Sequence, residues 1–258
     1  MINEIIKNKR KEIKARKKNF SLSTFRNKLE KSERDFKKAI SKNKLNLIAE
    51  IKRKSPSQNI LFQKNALSQD SRRFFEIIKI YDKYADAISV LTDKKFFDGS
   101  LSDLKKASKL TKLPILRKDF IIDEYQIYES RFYNSDAILL IASELSINEL
   151  NSFIRIAKRY NMDCLVEAHT EEELNNVLNS EAEIIGINNR NLRTLKIDTK
   201  TTLKLADKIP KSKIIVSESG IDSSEYVERI KGKVNAILVG TLFMNSKKLE
   251  KDILHLIK

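Results

Sequence analysis

Eight apolar runs separated by amphipathic segments are the feature that leaves this chain the fewest folds. The runs are Leu47–Lys52, Asp86–Leu91, Pro114–Lys118, Asp136–Ala142, Met162–Glu167, Glu183–Asn188, Lys213–Glu218 and Asn235–Gly240. Most are apolar throughout, which is what a strand buried on both faces requires. The segments between them carry helical spacing: over Ser71–Tyr84, residues Phe74, Ile77, Ile78, Tyr81 and Tyr84 fall on one face. Further helices are predicted over Leu101–Leu110, Asp123–Phe132, Ser146–Tyr160, Thr170–Leu178, Thr199–Ala206, Asp222–Ile230 and Lys248–Ile257. Ser146-x-x-Glu149 and Thr170-x-x-Glu173 have capping-box form, and Asp222-x-x-Glu225 is a looser version. About eight β/α units make a closed α/β (β/α)8 TIM barrel the simplest architecture. An open doubly wound sheet could use similar units, but no Gly-x-Gly-x-x-Gly follows any strand. A length of 258 residues fits a single domain, expected to comprise a helical extension over 1–45 and a barrel over 46–258.

Side chains alternate along a strand, so Glu50 and Lys52 point the same way. Strand order then places them at the C-terminal mouth, where barrels carry their chemistry. Other strands end alike, in Arg117-Lys118-Asp119, Glu167-Ala168-His169, Asn188-Asn189-Arg190 and Glu218-Ser219-Gly220. By the same alternation Leu116, Lys118 and Phe120 share a face, as do Leu165 with Glu167, Gly186 with Asn188, and Val216 with Glu218. One mouth is therefore expected to gather carboxylates and ammonium groups from several strands. Gly220 and Gly240-Thr241 follow the last two strands, where barrels commonly hold phosphate on backbone amides, so a phosphate ester is the expected ligand. Carboxylates interleaved with ammonium groups, and only two histidines (His169 and His255), argue against a metal. No Ser/His/Asp spacing surrounds Ser219, and His169 reads as a hydrogen-bonded loop residue.

The net charge of +16 raises nucleic acid as a partner. Residues 1–44 hold 16 Lys and Arg against 5 Asp and Glu, so most of the excess precedes the first strand. That segment has helical spacing at Ile2, Ile5, Ile6 and Ile13, and again at Phe36, Ala39 and Ile40, without aromatics at stacking spacing. It reads as a solvated basic helix, or as a field that draws anionic substrates. The start lacks an apolar leader core, and no run approaches a membrane span. A cytoplasmic protein is expected, and the single Cys164 in an apolar strand suits a reducing compartment.

Six segments in order resemble the indole-3-glycerol phosphate synthase family: Ile48–Ser57, Ala87–Thr92, Arg117–Asp123, Gly186–Leu192, Val216–Ile221 and Leu238–Gly240. The resemblance implies that the extension partly covers the mouth. It also implies a ring closure, with loss of carbon dioxide and water, that turns 1-(2-carboxyphenylamino)-1-deoxyribulose 5-phosphate into indole-3-glycerol phosphate without a cofactor. Carried over by motif, Lys118 resembles the general acid and Lys52 the lysine that binds the substrate carboxylate, the division of acid duty between them being open. Glu167 resembles the general base of dehydration, and Glu50 a carboxylate that orients Lys118 or assists proton transfer. Asn188, Glu218 and Ser219 resemble groups that position the amine, hydroxyls and carboxylate. Ser55, Gly220, Gly240 and Thr241 resemble the phosphate contacts, with Pro56, Phe120 and Arg190 completing the substrate-binding set; Arg190 is expected to fix the loop bearing the neighbours of Glu167. Two positions depart from the family pattern: Gln58-Asn59 stands where Lys-Gly is usual, and Thr241 replaces a common serine. The expected partner is the small phosphate ester, with neither nucleic acid nor membrane, and a monomer is expected. Competing readings are a phosphoribosyl isomerase barrel, a nucleic-acid binder driven by charge, and a barrel without activity.

Overall fold

In the computed structural model, which describes residues 1–54 and 67–257 apart from the side chains of 67–71, the apolar runs pair in chain order into a closed parallel barrel. The strands are β1 Asn46–Ile51, β2 Ala87–Leu91, β3 Ile115–Lys118, β4 Ala137–Ile141, β5 Asp163–Ala168, β6 Ile184–Asn188, β7 Ile214–Glu218 and β8 Ala236–Val239. Helices connect successive strands, so the predicted (β/α)8 TIM barrel is the observed fold. The strand β1 stops at Ile51, leaving Lys52 as the first residue beyond it.

Alternation sorts the apolar residues into two cores. Leu47, Ala49, Ile88, Ile138, Val166 and Ile185 face outward and pack under the helices. Ile48, Leu116, Leu139, Leu165, Val216 and Leu238 fill the barrel interior. The N-terminal extension closes that interior at both ends. Helix α1 (Ile2–Asn19) sets Ile2 and Ile5 against the interior cluster at the mouth, and the one-turn helix Phe36–Ala39 brings in Phe36 and Ile40. The latter pair sits at the opposite end, because the Asn46 amide, at the start of β1, donates to Ile40 O at 3.0 Å.

Both predicted capping boxes form, at Ser146/Glu149 and Thr170/Glu173. Ser146→Ala and Thr170→Ala should each lower stability by about 1 kcal/mol, visible as a reduced denaturation midpoint with unchanged slope. At Asp222 the sequence reading is off by one residue. The cap of helix Ser224–Ile230 is Ser223, whose hydroxyl accepts from Tyr226 N, and Asp222 lines the mouth instead. One-turn helices such as Lys94–Phe97 and Thr241–Met244 were not predicted, being too short for a periodic signal. Among the described residues no helix is long and apolar enough to cross a membrane.

Candidate active site

A cavity of about 570 Å³ opens at the C-terminal ends of the strands. Four charged side chains form its floor, one from each odd strand: Glu50 of β1, Lys118 of β3, Glu167 of β5 and Glu218 of β7. Barrel interiors are built in layers of four side chains drawn from alternate strands, and here the uppermost such layer is ionic instead of aliphatic. Lys118 Nζ donates to Glu218 Oε2 at 2.7 Å and to Glu167 Oε2 at 3.4 Å. The lysine keeps 16% of its side chain exposed and Glu218 only 1%. Burial alone would lower the Lys118 pKa, but Glu218, Glu167 and Glu50 outweigh it, so the ammonium is held well above the usual lysine range. Burial likewise pushes Glu218 up to about 7, against the pull of Lys118, with Glu167 and Glu50 adding repulsion.

Around this layer the remaining positions take distinct places. Asn188 Nδ2 donates to Glu167 Oε1 at 2.6 Å, so the carboxylate is oriented from two sides. Lys52, though beyond its strand, brings Nζ to 3.3 Å from Glu50 Oε1 and 2.7 Å from Thr241 Oγ1. Ser219 (φ 65°) and Gly220 (φ 70°) are both left-handed. A serine in that region costs about 1–2 kcal/mol, a strain of the kind that persists at functional sites. Gly240 caps the one-turn helix Thr241–Met244 and, lacking a Cβ, leaves room for the Glu50 carboxylate. Phe120 is 7% exposed and packs near Phe97, ring centroids 6.2 Å apart. Arg190 donates to Leu195 O at 3.2 Å, within its own loop. Its backbone N–H donates to Asn188 Oδ1 at 2.9 Å, and Asn188 in turn holds Glu167. Ser55, Pro56, Gln58 and Asn59 lie outside the described residues. The cavity thus gathers Glu50, Lys52, Lys118, Phe120, Glu167, Asn188, Arg190, Glu218, Ser219, Gly220, Gly240 and Thr241.

His169 is a loop residue as read, its Nδ1 2.7 Å from Asn188 O. Cys164 is buried in the outer core, where burial pushes its thiol up and away from nucleophilic use.

Two polar clusters beneath the mouth were not anticipated. The first joins α1 to β3. Lys9 is fully buried, with Nζ 2.7 Å from Asp93 Oδ2 and 2.8 Å from Asp119 Oδ1; Asp119 also pairs with Arg117 at 2.9 Å, and Arg117 with Glu129 at 3.1 Å. The expectation of a wholly solvated basic helix fails at this residue. A signal was present: Lys9 falls in line with Ile2, Ile5 and Ile13 on the apolar face. In the second cluster Asn189 accepts from Thr202 Oγ1 at 2.9 Å and donates to Ser219 O at 2.9 Å, tying the β6 and β7 loops together.

A preorganised ammonium flanked by carboxylates, in a largely apolar cavity open at the top, can protonate an oxygen and accept a proton without a metal. The sequence matches the Indole-3-glycerol phosphate synthase family profile over residues 2–256. The chain belongs to the indole-3-glycerol phosphate synthase family. It is 45% identical over 246 residues, covering 95% of this chain and 93% of the relative, to the indole-3-glycerol phosphate synthase of Caldanaerobacter subterraneus subsp. tengcongensis. The enzyme of that name from Endomicrobium trichonymphae is 47% identical over 213 residues, covering 82% of this chain and 80% of its own length. The tryptophan biosynthesis protein TrpCF of Buchnera aphidicola subsp. Diuraphis noxia is 42% identical across all of this chain, which spans 55% of that longer protein. Among solved structures, a chain from the tryptophan synthase a2b2 complex of Pyrococcus furiosus superposes with a TM-score of 0.60 at 14% identity, over 82% of this chain and 97% of its own; it shares the fold.

Proposed function

We propose that the chain closes the indole ring of indole-3-glycerol phosphate from 1-(2-carboxyphenylamino)-1-deoxyribulose 5-phosphate. The observation that carries this reading is the odd-strand layer, in which a single ammonium is shared between Glu218 and Glu167. As the ring carbon attacks the ketone, negative charge develops on the ketone oxygen, and Lys118 donates its proton there. The bond to the carboxylate then breaks, releasing carbon dioxide and restoring the aromatic ring. In the second half a lysine of the mouth, Lys52 or Lys118 once reprotonated, gives a proton to the new hydroxyl, which leaves as water, while Glu167, oriented by Asn188, takes the proton from the adjacent ring methylene. Lys52 holds the substrate carboxylate before it departs. The amides near Gly220, Gly240 and Thr241 receive the phosphate, and Phe120 offers an apolar wall to the ring.

Glu218 sets a pH dependence. Its carboxyl titrates near 7, so acidifying below neutrality neutralises the nearest partner of Lys118. The profile of kcat/KM should therefore fall on its acid side around pH 7, and Glu218→Gln should abolish that limb while lowering the plateau. A limb that stays in place in the variant would assign it to another group.

The deciding experiment follows indole fluorescence as purified protein meets this substrate in the presence of EDTA. The chain contains no tryptophan, so the indole product is read against a protein background free of indole emission. Turnover that is lost in Lys118→Ala supports the reading. No turnover from folded protein rejects it and returns the cavity to an unidentified phosphate ester.

A further inference from the structure

The strand β6 is buried along its whole length, yet its middle residue is Gly186. A glycine inside a strand costs roughly 0.5–1 kcal/mol relative to alanine, and it is used where the backbone needs positive φ or where something must come close. The first reason does not apply, since the described glycines with positive φ are Gly220 and Gly232. The second does. A Cβ built on Gly186 would collide with Glu218 Oε1, and would stand 3.3 Å from Leu165 Cδ1 and 3.4 Å from Glu218 Cδ.

We infer that Gly186 is a positioning residue for the reaction: the volume left by its missing side chain seats the Glu218 carboxylate and so fixes where Lys118 stands. Glu218 Oε1 is buried and has no hydrogen-bond partner among the described residues, so no polar contact there competes with the fit against Gly186. The other oxygen makes the 2.7 Å contact with Lys118, and any shift of the carboxylate is transmitted directly to the ammonium. A parallel arrangement stands on the other side of the barrel. Gly240, following β8, leaves the space filled by Glu50 of β1, whose Cδ would lie 3.0 Å and Cβ 3.1 Å from an added Cβ. In both pairs the glycine lies on, or just beyond, the strand preceding the carboxylate in barrel order, so the ionic layer is admitted by gaps beside it on the even strands.

The inference rests on the ring-closure reading, and its test is a double-mutant cycle on the intact chain. Gly186→Ala, Glu218→Asp and the double variant are compared for kcat, KM and thermal midpoint. Aspartate is one methylene shorter and withdraws from the added methyl. Gly186→Ala alone should lower kcat on the order of tenfold or more, the scale set by misplacing a catalytic group, with KM little changed. In the Glu218→Asp background the same substitution should leave kcat nearly unaltered. Equal losses in both backgrounds would overturn the inference. If the wild-type protein does not turn over the substrate, the ring-closure reading fails, but the seat is still tested by unfolding. Gly186→Ala should lower the thermal midpoint when Glu218 is present and not in the Glu218→Ala background, and an equal drop in both would remove the seat. If Gly186→Ala alone does not fold, the double variants decide in the same way, by folding or failing to fold.

Discussion

Replacing Lys118 by alanine is expected to lower kcat by roughly 10²–10⁴-fold, the usual contribution of a positioned general acid. At 1.36 kcal/mol per tenfold, this corresponds to about 3–5 kcal/mol of lost transition-state stabilisation. The argument comes from the layer itself. Lys118 is the one cation among Glu50, Glu167 and Glu218 in that ring of four, and the carboxylates keep it protonated and aimed at the cavity. Lys52, engaged with Glu50 and Thr241, does not reach the same position. Far-ultraviolet dichroism should be unchanged, because the side chain leaves water-accessible space instead of a void. Glu218 loses both its ion pair and its hydrogen bond, so without the ammonium its carboxyl protonates more readily. Near-normal turnover in Lys118→Ala would remove this residue from the chemistry and shift the acid role to Lys52.

The largest expected effect on stability comes from Lys9→Met. The lysine is fully buried between Asp93, Asp119 and Glu12, and truncating one partner of a buried ion cluster typically costs 3–5 kcal/mol because the remaining charges are left uncompensated. At about 2–4 °C per kcal/mol for a chain of this size, the thermal midpoint should fall by roughly 6–20 °C. Asp93→Asn in the same chain should restore part of the loss. The cluster also fixes the pH limits of stability. Burial would raise the Asp119 pKa, but Lys9 and Arg117 hold it below its unfolded value of 3.8, so its contribution is complete above that pH and is lost on acidification. Lys9 is opposite in sign. Its folded value lies above 10.5, so its contribution is complete below that pH and is lost in strong base. A midpoint indifferent to Lys9→Met would contradict both statements.

Much of the barrel could be read before any coordinates because strands buried on both faces are apolar without a break, and because capping boxes mark helix starts independently. The inward register of Glu50, Lys118, Glu167 and Glu218 followed from period-2 alternation alone. What escaped has a common physical cause. The buried position of Lys9, the seat offered by Gly186 and the left-handed Ser219 depend on contacts between residues far apart in the chain. Local spacing reports which way a side chain points, and only tertiary packing reports what meets it there. The one-turn helix at Thr241–Met244 escaped for the simpler reason that four residues carry no period.

The extension that closes the barrel at both ends has partners far along the chain. Ser32 N donates to Tyr160 O at 2.8 Å, and Lys37 N to Asp163 Oδ2 at 2.8 Å. During synthesis this segment leaves the ribosome before any barrel strand, but its apolar residues Ile2, Ile5, Phe36 and Ile40 have no closed barrel to cover until β8 has emerged. With about 200 residues to follow, at roughly 5–20 residues per second, they wait on the order of ten to forty seconds. Residues made ahead of every barrel strand thus complete their burial only when the barrel closes.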